Sequence, residues 1–200
     1  GLREAVEEDT EEIERVCRVY DPLEIRMATD AKERELLWSG RKSVLGALGR
    51  LAPNYYLVDG TIPRTKLVEV LGKIQEMSHR SGFLIANLLH AGDGNLHPAV
   101  LFDERRSGET KRVLEIGGEI LKLCVDVGGV LSGEHGIGLE KQEYMPLMFT
   151  DKDMEAMLRL KRAFFTQDMF NPGKIFPTGV SDAEVSQAAA IAKMGSGAYI

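Results

Sequence analysis

The sequence predicts an α+β fold in which helices cover one face of a small antiparallel sheet. Long segments with apolar residues at helical spacing alternate with short apolar segments of strand length. Two of the short segments are joined by a glycine-rich turn alone, which indicates a β-hairpin, since parallel strands need a long crossover. The 200 residues suit one domain or slightly more.

The helices are predicted from apolar residues that recur every three or four positions. Asp21-Pro22 and Gly128-Gly129 end two of these segments, while Thr29-Asp30 and Thr150 are suitable N-caps for two others. The predicted helices cover residues 4–19, 31–51, 63–80, 109–127 and 151–165. The short apolar segments between them predict strands over residues 23–28, 54–60, 83–89 and 96–102.

The composition is that of a globular protein and excludes several function classes. Hydrophobic residues make up 44% and charged residues 28%, with a net charge of −6, so there is no basic surface for nucleic acid. No apolar run approaches the roughly 20 residues of a transmembrane helix, and no signal peptide opens the chain. Cys17 and Cys124 are too few for a disulfide framework, so we expect a cytoplasmic protein without a transmembrane segment.

The most informative segment reads His90-Ala-Gly-Asp-Gly-Asn-Leu-His97. On a straight strand, residues seven apart point to opposite faces, because side chains alternate. The residues between the two histidines favour a turn, and apolar strands flank them. A hairpin folded at the glycines brings both imidazoles to one place, which is the geometry that a metal ion requires.

A second glycine-framed motif, Ser132-Gly-Glu-His-Gly-Ile-Gly138, offers a third ligand in Glu134. Two histidines and one carboxylate leave a coordination position open, which is typical of catalytic metal sites. We call His90, His97 and Glu134 the three-ligand site. Histidines in turns also serve as hydrogen-bonded structural groups, and that interpretation stays open.

Both motifs, followed by Asn171-Pro-Gly-Lys-Ile-Phe-Pro177, resemble the C-terminal domain of FAD-linked oxidases of the vanillyl-alcohol oxidase superfamily. The resemblance is strongest to glycolate oxidase catalytic (D) subunits, with D-lactate and D-2-hydroxyglutarate dehydrogenases as relatives. It implies a ferredoxin-like antiparallel sheet with helices on one face, plus a C-terminal helical segment. We expect residues 1–177 to form this substrate- and metal-binding domain, and residues 178–200 to form a partly mobile tail.

The same resemblance implies that the chain is a C-terminal piece, separated from the FAD-binding domain and lacking the first strand of its sheet. In these relatives a Trp-x-x-Arg pattern supplies an arginine for the substrate carboxylate, and Trp38-Ser-Gly-Arg41 matches it. Leu57 and Ala99 stand where the hydroxyglutarate relatives carry a lysine and an asparagine. These departures favour a small substrate over a long diacid.

The resemblance also implies a mechanism, in which a small 2-hydroxy acid such as glycolate or D-lactate chelates a divalent Zn, Fe or Mn ion at the three-ligand site. His135 then acts as the catalytic general base, and hydride passes to the FAD of the missing domain. Asp93 and Asn95 are predicted to orient the imidazoles as supporting residues. Asn171 and Lys174 are candidates for contact with the flavin cofactor.

The expected partners are the substrate, the protein's own FAD-binding domain, and other oxidase subunits, including an iron–sulfur protein at the inner membrane. Two other functions remain open. The same ligands would activate water in a metal-dependent hydrolase. Alternatively, the domain is a non-catalytic cap that mediates association, and its histidines are packed hydrogen-bonding groups.

Overall fold

The computed structural model describes residues 2–164 and 170–177, and the chain divides into two compact units, Gly1–Ala47 and Leu48–Ile200. The first unit carries helix α1 (Arg3–Val19) and most of helix α2 (Ala31–Leu48), as predicted apart from the earlier end of α2. Asp30 accepts a hydrogen bond from the backbone N–H of Glu33 at 2.8 Å, and the Glu33 carboxylate accepts one from the N–H of Thr29. This reciprocal pair confirms the predicted N-cap.

The strand predicted over residues 23–28 is wrong. The segment is an irregular connection in which Leu23 is fully exposed and Arg26 pairs with its neighbour Glu24. Its alternating apolar and polar residues imitate a strand, but a strand needs a partner for its backbone groups. No such partner lies beside it among the residues that the structure describes.

The second unit contains an antiparallel sheet whose central strand is β4. Strands β1 (Asn54–Leu57) and β2 (Gly60–Thr61) pair with one edge of β4 (Asn95–Phe102), and β3 (Ile85–His90) pairs with the other edge.

Strands β1 and β2 share one register against β4, and the break between them has a local cause. The N–H of Val58 still donates to the carbonyl of Pro98 at 3.0 Å, but Pro98 has no N–H to return the bond. The continuous register places Asp59 directly opposite His97.

Two helices, α3 (Leu67–Ser81) and α4 (Glu109–Asp126), pack together against one face of the sheet. Leu96 and Val100 of β4 belong to the core that these helices cover, so His97 lies on the opposite face. A bridge between Thr61 and Val130 adds a one-residue fourth strand beside β2. Across the sheet, the order is the Thr61–Val130 bridge, then β1 and β2 in line with each other, then β4, and then β3. This is the ferredoxin-like arrangement, and the predicted α+β class is confirmed.

The C-terminal part of the second unit consists of a 3-10 helix (Gln142–Leu147) and helix α5 (Asp151–Phe164). Thr150 caps α5 as predicted, because its hydroxyl accepts the N–H of Asp153 while the Asp153 carboxylate accepts the N–H of Thr150. A second apolar cluster joins these helices to the chain after residue 170 through Met145, Met154, Leu158 and Phe176. The predicted tail over residues 178–200 lies outside the described residues.

No helix in the described ranges is long and apolar enough to cross a bilayer. Cys17 and Cys124 are both free thiols, as expected from a sequence with too few cysteines for a disulfide framework. Burial raises the pKa of Cys124 to about 12, so this thiol stays protonated at neutral pH.

Candidate metal and substrate site

The turn between β3 and β4 brings the first two candidate ligands together. The N–H groups of Asp93 and Gly94 both donate to the carbonyl of His90 at 3.0 Å. Gly94 has a φ of +74°, and a Cβ there would lie 2.1 Å from the carbonyl oxygen of Ile62. Only glycine fits this position, which explains why the motif carries it. The predicted hairpin is confirmed.

Three of the four histidines in the chain meet beside this turn. The rings of His90 and His97 have centroids 5.4 Å apart and are nearly perpendicular, while the ring of His135 stacks on His97 at 5.1 Å. An oxygen of Glu134 lies 2.8 Å from Nε2 of His97 and 3.5 Å from Nε2 of His90. The two sequence motifs therefore form one cluster.

The donor atoms of the three-ligand site all lie within 4.8 Å of one another, close enough to be candidates for holding one divalent metal ion. Ligands bound tetrahedrally at about 2.0–2.1 Å are roughly 3.3 Å from one another, and the two measured separations bracket that value. The side chain of His97 is only 8% exposed, whereas those of His90 and Glu134 are 43% and 52% exposed. The cluster thus has one buried candidate ligand and is open to solvent on the other side. Imidazole donors suit Zn and Fe, and the carboxylate donor also suits Mn.

The carboxylate of Asp59 holds the loop that carries Glu134 and His135. It accepts the backbone N–H groups of Gly133 at 3.1 Å, Glu134 at 3.3 Å and His135 at 3.0 Å, together with the hydroxyl of Ser132 at 2.6 Å. Three consecutive backbone N–H groups therefore point at one side chain. This contact joins the loop to the edge of β4 at the position opposite His97.

Lys141 completes this network as the partner of Asp59. Its ammonium donates to Oδ2 of Asp59 at 2.9 Å and to the Asp59 carbonyl at 2.8 Å, and both side chains are buried. Burial alone would raise the pKa of the Asp59 carboxyl. The hydrogen bonds from Ser132, Lys141 and the His135 N–H, with the Lys141 charge, instead hold this pKa well below its usual range.

The sequence prediction missed this ion pair. Asp59-Gly60 resembles the end of a strand, and Lys141 is 82 positions away in the chain. Neither residue forms part of a motif that indicates the other. The only available signal is a charged residue directly after an apolar strand, which is too common to predict a contact.

Of the two predicted supporting residues, Asn95 lies beside an imidazole, whereas Asp93 lies in the exposed turn. Nδ2 of Asn95 is 3.5 Å from Nε2 of His97, and a Cβ on Gly133 would lie 2.4 Å from Oδ1 of Asn95. The ligand loop therefore packs directly on the Asn95 amide. Asp93 is exposed in the turn, and within the described structure its carboxylate makes no hydrogen bond to an imidazole.

The remaining predicted residues are not brought into the cluster by any measured contact among the described residues. Arg41 lies exposed on α2, in the first unit. The Lys174 ammonium donates to Oδ1 of Asn171 at 3.2 Å, and both residues are exposed. The N–H of Ile175 donates to the carbonyl of Gly138 at 2.7 Å, which ties this segment to the end of the ligand loop. Their substrate and flavin roles stay predictions.

Comparison with known proteins identifies the family. The family described as FAD linked oxidases, C-terminal domain, matches residues 1–175. The glycolate oxidase subunit GlcD of Escherichia coli strain K12 is 44% identical over 178 residues, which is 89% of this chain and 36% of that protein. The protein of the same name from Bacillus subtilis strain 168 is 36% identical over 176 residues, covering 88% of this chain and 37% of that protein.

A more distant relative is the mitochondrial D-lactate dehydrogenase [cytochrome] of Arabidopsis thaliana. It is 25% identical over 182 residues, which is 90% of this chain and 32% of that protein. The chain thus spans about a third of the length of these curated relatives. With the family match extending over nearly the whole sequence, the chain belongs to the FAD-linked oxidases, as their C-terminal domain.

Proposed function

We propose that the chain is the substrate- and metal-binding part of a flavin-dependent oxidoreductase that oxidises a small 2-hydroxy acid to the 2-oxo acid. Glycolate and D-lactate are the proposed substrates, in keeping with the names of the relatives. One observation carries the proposal: Glu134 lies within 3.5 Å of two histidines from a different segment, at a site open on one side.

In the proposed reaction, a metal bound at the three-ligand site supplies Lewis acidity that lowers the pKa of the substrate hydroxyl, and FAD supplies hydride acceptance. His135 accepts the hydroxyl proton. Its ring is exposed and stacks on the ring of His97, so it faces the same open space as the ligands. Its backbone is fixed by the bond to Asp59 at 3.0 Å.

The surroundings of the site support a small substrate. Leu57 and Ala99 lie opposite each other in the register of β1 and β4, two residues along from Asp59 and His97 and on the same face. Neither of these two apolar side chains can donate a hydrogen bond to a second carboxylate. We propose Arg41 as the partner of the single substrate carboxylate, because a guanidinium binds a carboxylate through two parallel hydrogen bonds.

Metal content tests the first part of the proposal. Elemental mass spectrometry of the purified protein should find about one equivalent of Zn, Fe or Mn in the wild type. His97→Ala and Glu134→Gln should lose it. His79→Ala is the matched control, since His79 is the fourth histidine and lies exposed on α3 away from the hairpin turn. Equal metal content in all four proteins would reject the site.

Activity tests the second part. In the complete protein with its flavin, His135→Ala should lower kcat for glycolate or D-lactate by roughly 10²–10⁴-fold, the range for loss of a general base, while metal content is retained. Arg41→Lys should mainly raise KM for the same acid, because the second hydrogen bond of the fork is lost. Near-normal turnover by His135→Ala would remove it from the base role.

A non-catalytic capping domain is the second candidate. The 2.8 Å separation of His97 and Glu134 supports it, because this is also the length of a hydrogen bond. In that case the wild type contains no metal, and His97→Ala lowers thermal stability while the activity per folded molecule stays intact. The two measurements above separate this candidate from the enzyme.

We further propose that the partners of this domain are the FAD-binding domain of the same protein and other oxidase subunits, including an iron–sulfur protein. The greater length of the relatives and the word subunit in the name of two of them support this proposal. Such an assembly would reside in the cytoplasm or at the inner membrane. Affinity purification of the complete protein from its native cells should recover an iron–sulfur protein at fixed stoichiometry, and recovery of the protein alone would contradict the proposal.

A further inference from the structure

We propose that Asp59 is a positioning residue of the site, which sets the geometry of Glu134 and His135 through their backbone and is supported by Ser132 and Lys141. This inference rests on the function proposed above and adds to it a residue outside both histidine motifs. The part of the site concerned is the backbone of the loop over residues 133–135, which Asp59 binds.

The Asp59 carboxylate accepts hydrogen bonds from three consecutive residues of the loop. The N–H groups of Gly133, Glu134 and His135 donate to it at 3.1, 3.3 and 3.0 Å. Side chains leave the backbone in directions set by the peptide planes, so one group fixes the directions of both the ligand and the proposed base. Glu134 and His135 are themselves exposed, so apart from their contacts with His97 their positions depend on the backbone of the loop.

Asp59 also lies beside the hairpin in the sheet. The shared register of β1 and β2 puts it opposite His97, the buried ligand of the hairpin. Asp59 therefore links the two segments: its backbone lies beside β4 of the hairpin, and its carboxylate binds the loop. A shift of the loop by about 1 Å would change the 2.8 Å separation of His97 and Glu134 by up to about a third.

The acceptor positions of the Asp59 carboxylate are already occupied, which disfavours Asp59 as a metal ligand. Its carboxylate lies within 4.8 Å of donor atoms on His97 and His135, so proximity alone would allow metal binding. A carboxylate offers about four acceptor positions, and those of Asp59 are already directed at the three loop N–H groups, the Ser132 hydroxyl and the Lys141 ammonium. The buried carboxylate therefore binds the loop and Lys141 and has no acceptor position left for a metal ion.

Two neighbours stabilise this arrangement. Lys141 binds both the side chain and the carbonyl of Asp59, which fixes the carboxylate relative to its own backbone. The Ser132 hydroxyl donates to Asp59 at 2.6 Å and accepts the N–H of Gly136 at 2.8 Å, so it closes the loop at both ends.

The test is Zn²⁺ affinity of the complete protein, measured by competition with a chromophoric chelator at a temperature where circular dichroism shows each variant to be folded. Asp59→Asn and Ser132→Ala should each weaken Zn²⁺ binding roughly 10–100-fold, as expected for residues that orient ligands. Ser132→Thr keeps the hydroxyl and should restore affinity to within about threefold of wild type. Asp126→Asn makes the same change at an exposed ion pair and should have no effect.

A role confined to stability would lower the melting temperature and leave the affinity of the folded protein unchanged, and that result would overturn the inference. If Asp59→Asn does not fold, the comparison of Ser132→Ala with Ser132→Thr decides: equal affinities would overturn the inference, and rescue by threonine would support it. Failure of the wild type to bind Zn²⁺ more tightly than His97→Ala would instead overturn the proposed function, and this inference with it.

Discussion

Lys141→Met removes the charge partner of Asp59 while keeping most of the side-chain volume. Lys141 is 2% exposed and Asp59 is fully buried, so the variant leaves a buried carboxylate without its counter-ion. Breaking a buried ion pair in this way costs about 3–5 kcal/mol of unfolding free energy. Because Ser132 and the loop N–H groups still donate hydrogen bonds to the carboxylate, we expect the loss of unfolding free energy to be about 3 kcal/mol, the lower end of that range.

For a protein of this size, a loss of about 3 kcal/mol corresponds to a fall in melting temperature of roughly 6–12 °C. Thermal unfolding followed by circular dichroism measures it. Lys122→Met is the matched control, because Lys122 pairs with Asp126 in an exposed position and should change the melting temperature by no more than about 2 °C. A Lys141→Met variant as stable as this control would refute the reasoning.

The double variant Asp59→Leu with Lys141→Met sharpens the test. Replacing a whole buried ion pair by apolar residues is often neutral or stabilising. Here it should remain less stable than Lys141→Met alone, because the N–H groups of Gly133 to His135 lose their common acceptor. Recovery of wild-type stability in the double variant would show that the loop does not depend on Asp59.

Hydrogen bonds hold the folded pKa of Asp59 below its unfolded value despite burial, so its stabilisation is complete above about pH 5 and is lost progressively as the pH falls below about 4. In urea unfolding, the stability gap between wild type and Asp59→Asn should therefore be constant from about pH 5 to 7 and should narrow below about pH 4; a gap that widens in acid would contradict this. Gly94→Ala should lower the melting temperature and the metal content together, because its Cβ meets the Ile62 carbonyl, whereas Gly92→Ala has open space and should change neither. Thr150→Ala should cost about 1 kcal/mol through loss of the α5 cap, measured by the same unfolding assay, and an unchanged free energy would show the cap to be dispensable.

The sequence was sufficient for features that depend on neighbours in the chain. Helical periodicity located α1, α3, α4 and α5 to within a few residues. The approach of His90 and His97 followed from the turn residues between them, because a tight turn constrains both adjacent strands. The association with Glu134 came from recognising two motifs together, and the geometry agrees with it.

The sequence was insufficient where partners are distant or absent. The pattern over residues 23–28 met the local conditions for a strand, yet no strand within residues 2–164 and 170–177 pairs with it. Asp59 and Lys141 form a contact across 82 positions, and nothing in either segment identifies the other. The effect of Pro98 on the opposite strand also needs the register, which only the folded sheet provides.

The separation of the ligands along the chain has a consequence for how the site forms. The hairpin that joins His90 to His97 is local and can close in about 1–10 μs. Glu134, in contrast, lies 37 residues beyond His97 in the chain, and Asp59, which binds the Glu134 N–H, lies 75 residues before Glu134. Long-range contacts form more slowly, because the intervening chain must first lose conformational entropy. In a newly made chain the two histidines would therefore come together before Glu134 reaches them, and the full set of three candidate ligands would exist only after this slower closure.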